Sequence, residues 1–251
     1  MKRNDFLAIS ATALGGMLLP IQTYAETLRT GARVTPAQLF AVLPRARPGL
    51  WVRYIMGFGV PYQKQIGFGV ERTPLATRYF IETQVGMPGG SCNPNTMKKA
   101  YLRTRTFGGV TQAYGVEAYV SRSSTLVMLD QDSPPPLMLL DSRHLYPRGS
   151  GTITRLGNAT MSVPKSSTHQ SEDSIVMEKS AISCTQCAAS FSEPLLKSLE
   201  LWTSSDVPLG IGKMRASVSS MPPFEMTIDS YGYDFHTGIS ASLDAVRAQQ
   251  S

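Results

Sequence analysis

The chain has 251 residues, 42% hydrophobic and only 17% charged, with 17 Pro and 21 Gly. This is the composition of a globular, turn-rich β protein long enough to bury a core of its own. The net charge of +6 is scattered among apolar residues; its densest cluster, Lys98, Lys99, Arg103 and Arg105, has neither a recognition helix nor a stacking motif around it, which argues against nucleic acid and leaves room for a weak attraction to anionic lipid headgroups.

The N-terminus opens with Lys2 and Arg3, followed by an apolar run from Phe6 to Ile21 and small residues up to Ala25. That layout is a secretory signal peptide with cleavage expected after Ala25. Gly15, Gly16 and Pro20 interrupt the run, which falls short of the roughly 20 apolar residues a membrane span needs. Lys2-Arg3 resembles a twin-arginine export signal only faintly. No later stretch is apolar enough to span, so residues 26–251 are expected to form a single soluble β-rich domain in a bacterial periplasm or outside the cell.

Thr35 and Pro36 open a short helix to Leu43, with Leu39, Val42 and Leu43 on one face and Pro44 as its stop. From Gly49 to Met56 the pattern alternates: Leu50, Val52, Tyr54 and Met56 point one way, and Trp51, Arg53 and Ile55 the other. The tetrapeptide GFGV occurs at Gly57 and again at Gly67, and reads as a hairpin of two Gly-rich strands rather than a phosphate loop, because no GxGxxG spacing or following helix accompanies it. Strands are expected at 76–85, 99–106 and 113–121, then a kinked edge at Pro134-Pro135-Pro136. A strand pair with a turn at Gly157-Asn158 should follow, then a long extended run from Ile175 to Ser190 and one helical turn from Pro194 to Leu199. Strands at 199–202, 211–218 and 224–233 should close the sheet, and Ser240 to Gln250 should form a terminal helix. About ten strands in hairpin order, without alternating long helices, predict a curved antiparallel half-barrel with one or two short helices packed on it.

No reactive constellation competes with this reading. His144, His169 and His236 lack metal-ligand spacing, and no GxSxG elbow marks a nucleophile. Asp130 and Asp132 share one loop, which suits neither a glycosidase pair nor a calcium loop. Cys184 and Cys187 form a CxxC in an extended segment, where residues three apart face opposite ways. A disulfide from Cys92 to one of these two is therefore expected, and no metal or cofactor. Strands apolar on both faces leave one face for a possible ligand: Trp51, Tyr54, Phe58, Phe68, Tyr79, Trp202 and Met214 are the candidate apolar wall.

Trp202-Thr-Ser-Ser-Asp-Val-Pro-Leu-Gly210, with Gly49-Leu-Trp51-Val-Arg53-Tyr54 upstream and Ser230-Tyr-Gly232 downstream, resembles a W-x-S-x-x-V-P-x-G corner of uncharacterised bacterial secreted β-rich proteins. More loosely it is similar to the half-barrels of periplasmic lipoprotein-localisation carriers. The resemblance implies no catalytic residues. It implies a periplasmic, non-enzymatic protein that binds or carries a lipid or other apolar ligand; the alternatives are a secreted β-fold hydrolase and an envelope structural module that binds a partner protein. The intact mass of the chain recovered from the periplasm of an expressing bacterium should lack residues 1–25; a mass retaining them would refute the signal assignment.

Overall fold

The computed structural model describes residues 30–31, 33–34, 48–74, 76–107, 110–123, 126–128, 151–164, 172–184, 196–204, 206–207, 210–218 and 221–250. The expected helix at 35–43, the proline run at 134–136, His144, His169, the Asp130–Asp132 loop and Cys187 lie outside them. Twelve strands make one sheet: β1 (Arg33–Val34), β2 (Trp51–Phe58), β3 (Tyr62–Arg72), β4 (Thr77–Gly86), β5 (Cys92–Phe107), β6 (Val110–Ser121), β7 (Leu126–Met128), β8 (Gly151–Pro164), β9 (Glu172–Cys184), β10 (Leu196–Thr203), β11 (Ile211–Val218) and β12 (Phe224–Gly232). Ten strands have eight residues or more, in line with the expected count of about ten; the two-residue β1 and three-residue β7 are short edge strips. One helix, α1 (Leu243–Gln250), is present among the described residues.

Every pairing is antiparallel, and the order across the sheet is β1-β8-β9-β10-β11-β12-β2-β3-β4-β5-β6-β7. Two meanders, β2 to β7 and β8 to β12, are thus joined where the last strand pairs with the first long one. The three terminal strands lie mid-sheet rather than closing it. The sheet is unclosed and strongly curved: β12 touches β8, four strands away, and the Tyr231 hydroxyl donates to Asp173 on β9.

The curl buries one face. Val52, Tyr54 and Met56 of β2 are at most 1% exposed, and they pack with Ile66, Phe68, Ile81, Leu201, Met214, Phe224 and Met226 in one cluster drawn from most strands. Each such side chain contributes about 1.5–3 kcal/mol of burial. The Tyr54 hydroxyl, sunk in this core, donates to the Ile211 carbonyl at 2.9 Å, and burial raises its pKa. The Trp202–Gly210 corner links β10 to β11 as its sequence suggests. Ser204 N–H donates to the Gly210 carbonyl at 3.1 Å, Gly210 N–H to the Val207 carbonyl at 2.9 Å, and Val207 is buried against the same cluster.

The other face is covered over β3 to β6 by the C-terminal segment. Ile239, Leu243 and Val246 pack on Phe80, Met97, Tyr101, Ala118 and Val120. The helix forms because Ser242 caps it, its hydroxyl accepting from Ala245 N–H at 3.1 Å. Charges fasten the segment. Glu82, 3% exposed, accepts from Thr237 Oγ1 at 2.6 Å and Gly238 N–H at 2.8 Å, while its cross-strand partner Lys99 donates to the Ile239 carbonyl at 2.7 Å. Burial lowers the Lys99 pKa. Arg78 reaches Asp244 at 2.8 Å and Arg247 reaches Glu117 at 2.6 Å. Trp51 belongs to this face: its indole N–H donates to Asp234 at 2.6 Å.

The GFGV echo now has a physical account. The hairpin turn falls inside the first copy, at Gly59–Pro61, and the second copy lies within β3. A Cβ on Gly67 would run into the ring of Phe235, and one on Gly69 into that of Phe80. Both glycines clear space for aromatic rings beneath the C-terminal segment.

Three expectations are corrected. Gly157-Asn158 is not a turn: β8 runs unbroken through it, because β9 continues opposite, and the extra residue is absorbed as a bulge between Arg155 and Gly157, whose φ is 114°. The helical turn expected up to Leu199 is strand from Leu196 on, since Leu196 pairs with Val218. The bridge from Cys92 is not formed. Cys92 opens β5 with a free thiol, which accepts from Gln63 Nε2 at 3.4 Å; Cys184 ends β9, seven strands away across the sheet.

Gly67→Val should destabilise by about 1–3 kcal/mol by displacing Phe235, read as a lowered urea midpoint and faster proteolysis C-terminal to residue 232. Hydrogen bonding from Trp51 holds the Asp234 carboxyl below its ordinary range. Its contribution to stability should be complete above pH about 4 and be lost as pH falls through the lowered value. An NMR titration of Asp234 should show this, with Trp51→Phe returning it to the ordinary range.

Candidate functional site

Of the seven candidate wall residues, the structure gathers six on one cluster. Tyr54, Phe68 and Met214 lie within the concave core and Phe58 and Tyr79 pack against it half-buried; Trp202 also touches it, but it alternates with Leu201 and stands on the outer face opposite Lys213. Trp51 is set apart on the opposite face with Asp234 and Arg53, whose guanidinium carbon lies 5.6 Å from the indole centroid. Trp202 sits between two ammonium groups, Lys179 at 4.8 Å and Lys213 at 5.1 Å from its ring. These are its direct cross-strand neighbours on β9 and β11, so strand register itself creates the stack.

Register also builds a feature that sequence reading missed. Met214 faces Met226, Met226 faces Met56, and the row continues to Leu201 on one side and Tyr62 on the other. Three methionines from three strands thus lie side by side on the concave face, each 1% exposed or less. Sequence spacing cannot reveal this, because Met56 is paired with residues near the far end of the chain. Methionine is unbranched and polarisable, so such a row repacks more readily than branched residues would.

The row lies just inside one end of the curl. Moving outward along β2 and β12, the next inward pair is Phe58 and Phe224, with ring centroids 5.1 Å apart. Phe58, Tyr62 and Met221 are half-buried there, and beyond them Val60 and Met87 project from hairpin turns at 78% and 70% exposure. Partly buried and exposed apolar side chains thus follow one another outward from the core at this end.

The opposite end is polar. Tyr231 donates to Asp173, Asp206 acts on the same hydroxyl, Asp234 follows the end of β12 and Arg72 ends β3. Burial first, and the bond to Asp173 second, raise the Tyr231 pKa. Among the described residues no group of three or more His, Cys, Asp or Glu could hold a metal ion. No helix among them is long and apolar enough to cross a membrane, which says nothing of strands.

No protein-family model matches the chain, and no curated protein matches it. Among solved structures it is similar to a Bacteroides fragilis protein described as a "putative exported protein with YmcC-like fold", at 8% identity and a TM-score of 0.34, covering 74% of this chain and 96% of that one. It is likewise similar to a protein of Parabacteroides distasonis described as a "putative lipoprotein", at 8% identity and a TM-score of 0.33, with the same coverages. Likeness at this level carries no information on ligand or activity.

Proposed function

We propose that this chain is an exported, non-enzymatic envelope protein that binds an acyl chain or a similar apolar ligand at the apolar end of its curled sheet. The observation that carries this reading is the cross-strand row Met214–Met226–Met56 beneath the half-exposed Phe58, Tyr62 and Met221. Tyr54, Met56 and Met214 leave almost no surface accessible as they stand. A ligand therefore enters at the rim and makes its room by displacing methionine side chains, which lose little packing in rearranging. The signal-like N-terminus supports an envelope location, and the low charge supports an apolar ligand over a polar one.

Titration of the periplasm-purified protein with the apolar fluorophore N-phenyl-1-naphthylamine should give saturable enhancement, and native mass spectrometry should find co-purified lipid. Replacing Met56 and Met226 together by Ile keeps the volume but stiffens the row, and should weaken binding by about 5-fold or more, with the melting temperature little changed. No saturable binding, or binding indifferent to the double substitution, would refute the assignment.

A further inference from the structure

We infer that the three hairpin turns at the apolar end form a docking surface for an anionic lipid bilayer. The inference rests on the ligand site proposed above only in sharing its end of the sheet. The turns are Gly59–Pro61 between β2 and β3, Met87–Ser91 between β4 and β5, and Met221–Pro223 before β12. Antiparallel order brings all three to the end marked by Phe58 and Phe224. They also touch. Gln63 Nε2 donates to the Gly90 carbonyl at 3.3 Å, which ties the second turn to the strand leaving the first, and a Cβ on Gly59 would meet the Pro222 ring at 3.5 Å. The most exposed large apolar side chains of the described residues, Val60 and Met87, stand at two of these tips.

Isolated exposed apolar residues need no explanation; adjacent ones at the tips of rigid turns mark an interaction surface. Pro61, Pro88, Pro222 and Pro223 fix the backbone of these turns and remove four donors, which favours insertion among headgroups. None of the turn residues is charged. Around them the exposed charges on the described residues are cationic: Lys98 on β5 and Arg122 in the turn after β6, both exposed, while the acid Glu225 is paired with Arg215 at 3.3 Å. A neutral apolar tip flanked by cations on its β5–β6 side complements an anionic headgroup layer, and the polar opposite end would face water. The apolar mouth formed by Phe58, Tyr62 and Met221 would then open directly onto the acyl region.

Co-sedimentation of the periplasm-purified protein with phosphatidylcholine vesicles, with and without phosphatidylglycerol, tests this. Binding is expected to be stronger to the phosphatidylglycerol vesicles and to weaken as salt rises. Val60→Asp with Met87→Asp should reduce it by about tenfold or more. Lys98→Glu with Arg122→Glu should abolish the preference for phosphatidylglycerol. Val176→Asp, which alters another exposed apolar residue, on β9 and 58% exposed, should leave vesicle binding unchanged. The fluorophore titration on the turn variants separates the two proposals: docking lost with fluorophore binding retained supports the lipid surface as distinct from the ligand site. Failure of the unsubstituted protein to bind either vesicle, or an equal loss in Val176→Asp, overturns the docking inference whatever the fluorophore does.

Discussion

The pairing of β12 with β2 is the contact on which the rest of the molecule depends. It joins residues about 170 positions apart in the chain, Phe224–Gly232 with Trp51–Phe58. Without it the two meanders would present bare edges, open to pairing with other chains. With it, the inward residues of ten strands share one core, and the methionine row crosses from one meander into the other. The bulge between Ile228 and Ser230 sits on this seam, and such a bulge increases local twist. The seam is thus also where the sheet bends enough for Tyr231 on β12 to reach Asp173 on β9.

The two faces of the sheet are stabilised by different means. The concave face is filled by the curl itself and is mostly apolar, with Lys64, 2% exposed and opposite Tyr54, as a buried charge within it. The outer face over β4 and β5 is covered by the C-terminal segment, and there charges are buried. Glu82 and Lys99 are 3% and 2% exposed, and a buried ionised group is tolerated only when each of its polar atoms finds a partner. Both find theirs in Thr237–Ile239, through the Thr237 hydroxyl, the Gly238 N–H and the Ile239 carbonyl, which makes the fit of the segment specific as well as tight. The Lys99 ammonium also lies 4.5 Å from the Phe80 ring centroid, an interaction strengthened by the loss of water around it.

Much of this architecture was legible in the residue order. Alternation at Gly49–Met56 assigned the two faces of β2 correctly, because period-two burial is local. The Trp202–Gly210 corner announced its turn through Ser, Asp, Pro and Gly, whose backbone preferences are also local. Gly157-Asn158 misled for the same reason. Its turn chemistry is genuine, but β9 lies opposite over the whole length of β8, and that partner is decided elsewhere in the chain. The Gly67 and Gly69 signal was visible, whereas its cause was not, since Phe235 is brought over Gly67 only by the docked C-terminus. The candidate wall was found as a set of apolar side chains; that Trp51 stands on the other face follows from the alternation that sequence reading had already noticed.

The sequence by itself determined the strands, their alternation, most of their turns and the signal-like N-terminus, because each rests on neighbours within a few residues. Only the tertiary structure decided that the last strand pairs with the first long one and that three methionines align across that seam. It alone placed the free thiol of Cys92 far from Cys184 and gathered the uncharged turns at one end. The reason is register: a strand's partner is selected by the fit of whole faces across the sheet, and no local pattern specifies which face it will meet.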